Sequence, residues 1–447
     1  MNYRPVSVLN TFSKIYERFL QEELTPFIDT CLSKFISAYR KHYGSSHVLI
    51  RLIESWKENL DNNAFVGAVL MELSKAFDCV PHDLLIAKLH AYGLTLDTLV
   101  YFYSYLKRRK QSVKINNIFS TFQTLLSGVP QGSILGPIFL NIFLNDLILF
   151  ITNADLFNFA DDNTISAMGK TIPELISTLE EQSNNAIDWF QNNDMIINPE
   201  KSHIIIINKN SRINETHTLN IGGEIIKTEQ NVTLLGIEID DKLNFQKYVG
   251  GICKRAAGQL NSIYRLSSSN TLNATTKNVL IESFVYSNFN YCPLVWHFCS
   301  PGSVRKMEKI QERALRLLTN ETECTYEHLL SIVNKPSLEI RRQRTLATEV
   351  FKTINNLNPD YMKDIFIKNV RRGGSNKLYV QSHRAKTYGE KSLKTLGPKI
   401  WNDLPEDIRT ATSLSRFKIL IKTWSGPSCN CNLCYHQAHT VQSFPST

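Results

Sequence analysis

The sequence predicts an α/β (α+β) fold: a sheet with packed helices in the first half, then a mainly helical second half. Three observations predict it. Residues 64–73 form an apolar run that ends by presenting one acid, Glu72. Residues 156–165 place short apolar stretches on either side of Asp161 and Asp162. From Pro301 onward, apolar residues recur at helical spacing among many cations.

The run from Ala64 to Leu73 lacks the alternation of a half-exposed strand, so it reads as a central strand with Glu72 at its exit. Lys107-Arg108-Arg109-Lys110, with Lys114, suits either a phosphate backbone or a solvated loop. In Ser127-Gly128-Val129-Pro130-Gln131-Gly132-Ser133, the glycines and proline precede a helical pattern that runs to Phe150. They permit close backbone approach, and Gln131 and Ser133 carry donors for a nucleotide; the bland alternative is a loop capping a core helix. The 156–165 stretch reads as a β-hairpin with Asp161 and Asp162 at its tip. Adjacent acids repel unless a cation neutralises them, although Asp-Asp in an isolated hairpin is usually a solvated bend. Two strands that bring acids to one sheet edge make a polymerase-like cradle for Mg²⁺, which takes oxygen ligands at about 2.0–2.1 Å.

Further along, Asn198-Pro199-Glu200-Lys201-Ser202 precedes a β-branched strand. Asp240-Asp241 follows another short strand and reads as a hairpin outside the metal edge. Pro301-Gly302-Ser303 opens a helix with Ser303 as its expected N-cap. In that helix Val304, Met307, Ala314 and Leu317 form the apolar stripe, and Arg305, Lys306, Lys309, Arg313 and Arg316 the cationic faces. Tyr286, Phe289, Tyr291 and Trp296 suit base stacking or a core.

Composition fits a globular protein of two or three domains: 447 residues, 43% apolar and 20% charged. The net charge of +9 conceals a division. Residues 1–245 carry 21 Lys/Arg against 27 Asp/Glu, whereas residues 246–447 carry 29 against 14. An acidic, metal-holding half beside a basic half fits nucleic acid as partner. Nine cysteines, mostly scattered singly, argue against a disulfide framework. Cys429, Cys431 and Cys434 with His436 and His439 lack a zinc-knuckle spacing and an apolar shell, which argues against zinc. Leu135–Phe150, the most apolar stretch, contains Gly136, Pro137, Asn141, Asn145 and Asp146, so no membrane span is expected. No signal peptide is evident, and the expected location is intracellular, nucleus or cytoplasm.

The ordered set Glu72-Leu73-Ser74-Lys75-Ala76-Phe77-Asp78, Gly128-Val129-Pro130-Gln131-Gly132-Ser133 and Phe159-Ala160-Asp161-Asp162 resembles reverse transcriptases of non-LTR retrotransposons, particularly the jockey-like LINE group. Further similarity lies in Asn2-Tyr3-Arg4-Pro5-Val6-Ser7, Asn198–Ser202 and Leu234–Asp240, and beyond them in Tyr291–Trp296 and Leu396–Asn402. The resemblance implies a right-hand polymerase: palm with remnant fingers over 1–245, thumb-like basic region over 246–345, C-terminal region over 346–425, and a Cys/His tail over 426–447. It implies RNA-directed DNA synthesis with Mg²⁺, or Mn²⁺ as substitute, on an RNA template, DNA primer and deoxynucleoside triphosphates.

By the same resemblance, Glu72, Asp161 and Asp162 are the metal carboxylates and Lys201 the palm lysine that protonates pyrophosphate. Arg4 would meet the triphosphate. Gln131 and Gly132 would line the incoming nucleotide, and Phe77 would crowd a ribonucleotide 2′-hydroxyl. One departure stands out: the family places Asp where this chain has Glu72. The extra methylene shifts the carboxylate by roughly a bond length, so weak or absent polymerisation is expected. Asp78 is not expected to compensate. The chain also resembles an N-terminally truncated copy, without the nicking domain that relatives carry upstream. A catalytically silent relic that still binds nucleic acid is the alternative.

Overall fold

The computed structural model describes residues 6–107, 109–197, 201–207, 216–267, 272–368 and 376–427. By packing, the described residues divide into two units. Met1–Val48, Ala64–Ile206 and Arg212–Gln230 bound the first; Leu49–Asn63, Ile207–Ser211 and Asn231–Thr447 bound the second.

The first unit is built on a four-stranded sheet. Its strands are β1 (Phe65–Glu72), β2 (Asp155–Phe159), β3 (Asp162–Gly169) and β4 (His203–Ile207), in the order β2-β3-β1-β4. Val66 to Met71 of β1 are all buried, as the unbroken apolar run requires. β3 pairs antiparallel with both neighbours, from Phe65↔Gly169 to Glu72↔Asp162 on one side and from Asp155↔Ser166 to Phe159↔Asp162 on the other. The Gly136–Leu144 helix buries eight of its nine residues, Phe139, Leu140 and Phe143 completely. Each such side chain contributes about 1.5–3 kcal/mol by leaving water. The Ile172–Asn192 helix joins the same core through Leu175, Leu179 and Trp189. Thr171 caps that helix by accepting from Glu174 N–H, and Pro173 occupies its first turn without loss, since those N–H groups have no intrahelical acceptor.

The second unit is mainly helical, with a hairpin of Asn231–Leu234 and Ile237–Asp240 opening its longest segment. The Asp240 carboxylate accepts from the N–H groups of Lys242, Asn244 and Phe245, an anchoring role in the turn that leads into the Gln246–Ser267 helix. The Pro301–Thr319 helix is capped by Ser300, whose side chain accepts from Ser303 N–H, so the cap lies three residues earlier than expected. Pro301, whose ring fixes φ and whose missing N–H costs nothing there, takes the first helical position instead. Arg316 also departs from the expected cationic face. It is half-buried and donates to Glu312 and to the carbonyls of Thr322 and Cys324, holding the helix C-terminus. Tyr286, Phe289 and Trp296 are buried, which makes them core and leaves only Tyr291 of the four exposed. The Leu338–Ile354 helix runs unbroken across the expected 345/346 boundary and packs Phe351 against Phe417 with ring centroids 4.5 Å apart.

Among the described residues, no helix is long and apolar enough to cross a membrane. Cys429, Cys431 and Cys434 lie outside the described residues, as does Arg4.

Candidate functional site

The acids meet at one end of the sheet because of strand register. Glu72 is the last residue of β1 and pairs directly with Asp162, the first residue of β3. Phe159 also pairs with Asp162, so Ala160 and Asp161 form a two-residue hairpin loop. Ala160 takes φ 59°, a positive-φ setting in the turn that normally selects glycine. The Leu73 N–H donates to the Asp161 carbonyl at 3.1 Å, which ties the exit of β1 to the turn.

Two buried asparagines hold this turn from below. Asn158 and Asn163 face each other across β2 and β3, and Asn158 Nδ2 donates to Asn163 Oδ1 at 2.9 Å and to the Ala160 carbonyl at 3.1 Å. Asn163 Nδ2 donates to the Asp161 carbonyl at 3.3 Å. The Ala160 and Asp161 carbonyls of the acidic turn are thereby satisfied inside the protein, which fixes the turn.

The Ser127–Ser133 loop is pinned to the segment after β1. Val129 N–H donates to the Phe77 carbonyl at 2.6 Å, Gly128 N–H to Val80 at 2.8 Å, and Ser127 Oγ to the Asp78 carbonyl at 3.1 Å. Gly128 has φ +86°, and a Cβ there would stand 2.7 Å from the Asp78 carbonyl oxygen. Gly132 has φ +112° with its Cβ direction 3.0 Å from Ser7 O, while the Gln131 carbonyl accepts from Ser7 N–H. Gln131 is half-buried and Gly132 exposed. Ser133 is buried and turned inward, its hydroxyl bonded to the Pro130 carbonyl and the Gly136 N–H, so its expected donor role toward a nucleotide is used within the loop.

Glu17, which the sequence reading passed over, completes the loop's support. It is 1% exposed, and its carboxylate accepts from Ile134 N–H at 2.7 Å, Leu135 N–H at 3.4 Å and Tyr105 OH at 2.8 Å. A buried anion at a helix N-terminus satisfies donors that have no intrahelical acceptor and meets the positive end of the macrodipole. Burial and the Glu17 charge together push the Tyr105 phenol well above its ordinary range. Glu17 lies in line with Leu20, Leu24 and Ile28, and a carboxylate within a buried stripe was the available signal.

Phe77 is half-buried in a single helical turn, Ala76–Cys79, that follows Lys75 at φ 53°. Its ring meets Tyr39 edge-on, with centroids 6.3 Å apart. Lys201 is exposed two residues ahead of β4, the strand beside β1. Asp78 lines a cleft of about 600 Å³ with Asp83, Asp194 and Lys107. In the basic stretch, Lys107 lies over Tyr103, Arg109 over Tyr105 and Lys114 over Phe119, so aromatic faces support those cations.

Glu72, Asp161 and Asp162 supply only oxygen donors, which suits a hard divalent cation in ligand type. Among the described residues, no group of three or more His, Cys, Asp and Glu side chains is gathered as a metal-holding cluster.

The antiparallel strands β2, β3 and β1, with a strand end and a hairpin turn bringing acids together and a pinned Gly-Pro loop beside them, are the arrangement expected of a polymerase palm. The chain belongs to the family described as reverse transcriptase (RNA-dependent DNA polymerase), which matches residues 1–239. It is 24% identical over 73% of its length to the probable RNA-directed DNA polymerase from transposon BS of Drosophila melanogaster. It is 25% identical over 71% of its length to the RNA-directed DNA polymerase from mobile element jockey of the same species. The chain covers 36% of each of these relatives. Among solved structures, apo telomerase from Candida tropicalis aligns at TM-score 0.41 and 10% identity, over 77% of this chain and 56% of that one.

Proposed function

We propose that the chain is an RNA-directed DNA polymerase of a non-LTR retrotransposon, acting inside the cell, in nucleus or cytoplasm, with intrinsically weakened activity. The reaction is attack of a DNA primer 3′-hydroxyl on a deoxynucleoside triphosphate selected by an RNA template. The register pair Glu72↔Asp162, with Asp161 in the adjoining turn, carries this reading, because it joins acids from separate segments at one sheet edge. Glu72, Asp161 and Asp162 would hold Mg²⁺. When bound, Mg²⁺ activates the hydroxyl and neutralises charge on the leaving pyrophosphate.

The remaining roles belong to the chain itself. Gln131 and Gly132 form the wall along the nucleotide, Phe77 crowds the sugar, Lys201 gives a proton to pyrophosphate, and Arg4 meets the triphosphate. Residues 1–245 serve as fingers and palm, and residues 246–425 as a thumb-like duplex grip and C-terminal region joined through the continuous Leu338–Ile354 helix. Glu72 reaches roughly 1.5 Å farther than an aspartate would, and misplacement on the order of 1 Å costs about 10²-fold in rate.

A primed RNA template supplied with Mg²⁺ or Mn²⁺ tests the proposal. Glu72→Asp is expected to raise extension about tenfold or more, and Asp161→Ala to abolish it. Robust extension by the natural chain that Glu72→Asp leaves unchanged would refute the account of Glu72. The Glu72 substitution itself favours a second reading, a silent relic that binds nucleic acid through residues 246–447, whose 29 Lys/Arg face 14 Asp/Glu. That reading wins if neither form extends a primer and both bind duplex with a steep salt dependence.

A further inference from the structure

Tyr39 occupies a place that packing alone does not explain. It is 54% exposed and its backbone sits at φ 59°, a strained conformation for a bulky residue, which Gly or Asn would adopt more readily. The surrounding arch imposes that conformation. Ser37 N–H donates to the Asn158 carbonyl at 3.2 Å and Asn158 N–H to the Phe35 carbonyl at 3.3 Å, so the arch runs beside β2. The buried Asn141 side chain donates to the Ala38 carbonyl at 2.7 Å. Arg40 closes the arch from the other side, donating to the carbonyls of Ser33 and Ile36 at 2.9 and 3.0 Å and pairing with Asp29 at 3.2 Å.

All these anchors leave one aromatic ring projecting at the site. Its edge-on contact with Phe77 has an interplanar angle of 80°. The Tyr39 phenol is raised above its ordinary range by burial first and then by the Asp161 carboxylate. Tyr39 thus stands beside the aromatic expected at the sugar.

We propose that Tyr39 is a positioning residue for sugar selection: its ring braces Phe77 in the orientation that excludes a ribonucleotide 2′-hydroxyl. This rests on reading the chain as a polymerase with Phe77 facing the sugar. Edge-to-face aromatic contacts contribute enough to hold one ring orientation, and releasing Phe77 relaxes the exclusion.

The test uses the full chain carrying Glu72→Asp, a primed RNA template and Mg²⁺, with kcat/KM measured separately for dATP and ATP opposite a template uridine. Tyr39→Asn removes the ring while keeping a residue that tolerates the left-handed backbone. It is expected to lower the dATP-to-ATP preference about tenfold, through improved use of ATP, whereas Tyr39→Phe keeps the preference. In Tyr39→Asn, an unchanged preference, or an equal loss with both nucleotides, overturns the bracing role and leaves the polymerase reading standing. No extension by any form, Glu72→Asp included, brings down the polymerase reading and the Tyr39 proposal with it.

Discussion

Replacing Gly128 with alanine tests whether the Ser127–Ser133 loop is held against the segment after β1 as tightly as its geometry requires. The new Cβ would lie 2.7 Å from Asp78 O, 2.8 Å from Asp78 Cα and 2.9 Å from Asp78 C, all backbone atoms with no rotamer to yield. Asp78 is itself held, its N–H donating to Lys75 O at 2.8 Å and its carbonyl accepting from Ser127. The loop must therefore move away, which breaks or stretches the Val129-to-Phe77 and Gly128-to-Val80 hydrogen bonds. Two such bonds contribute about 1–3 kcal/mol, and an alanine at left-handed φ adds about 1–2 kcal/mol of strain. The expected destabilisation is about 2–5 kcal/mol. Amide exchange read by mass spectrometry should show protection over residues 76–82 and 127–133 falling about 30-fold or more, at about 1.4 kcal/mol per decade. Protection in both segments within threefold of the natural protein would refute the steric argument.

Three other outcomes follow from the packing. Glu17→Ala should cost about 3–5 kcal/mol by leaving Ile134 N–H, Leu135 N–H and Tyr105 OH without their acceptor, seen as a thermal midpoint lowered by roughly 10 °C. Gly258→Ala should stabilise the Gln246–Ser267 helix by about 0.5–1 kcal/mol, since nothing lies within 4 Å of a Cβ there; urea unfolding checks it. Burial, opposed by Arg342 and aided by Glu308, holds the Glu339 carboxyl up at about 7. The folded protein keeps a proton that the unfolded chain releases near 4.5, so stability is full below that pH and falls as pH rises through 7, by about 3 kcal/mol. His297, lowered to about 3 by burial, Arg342 and Lys57, acts oppositely, losing stability as pH falls below 6.5. Glu339→Gln should remove the loss between pH 4.5 and 7 in urea midpoints and leave the acid-side loss of His297 in place.

Local pattern was enough wherever one segment carries its own signal. The apolar run to Glu72 is a buried strand and the 156–165 stretch is a hairpin. The Asp240 pair, expected in a hairpin, instead ends the second strand of one and leads into the Gln246–Ser267 helix, because its carboxylate anchors the following N–H groups. The supporting residues carried weaker signals. Asn158 and Asn163 look like strand polar residues until the register places them face to face beneath the turn. Glu17 lies more than a hundred residues from the N–H groups it caps. Ser303 looked like a helix cap because it follows Pro-Gly, but the proline itself begins the helix and hands the cap to Ser300.

The sequence by itself determined the family and those elements that carry their own local signal, since periodicity, turn chemistry and motif order are properties of short stretches. Only the tertiary structure decided which distant groups meet: the alignment of Glu72 with Asp162, the capping of a helix by Glu17, and the arch that sets Tyr39 against Phe77. Those depend on strand register and on where buried donors find acceptors, and both arise only when segments far apart in the chain exclude water together.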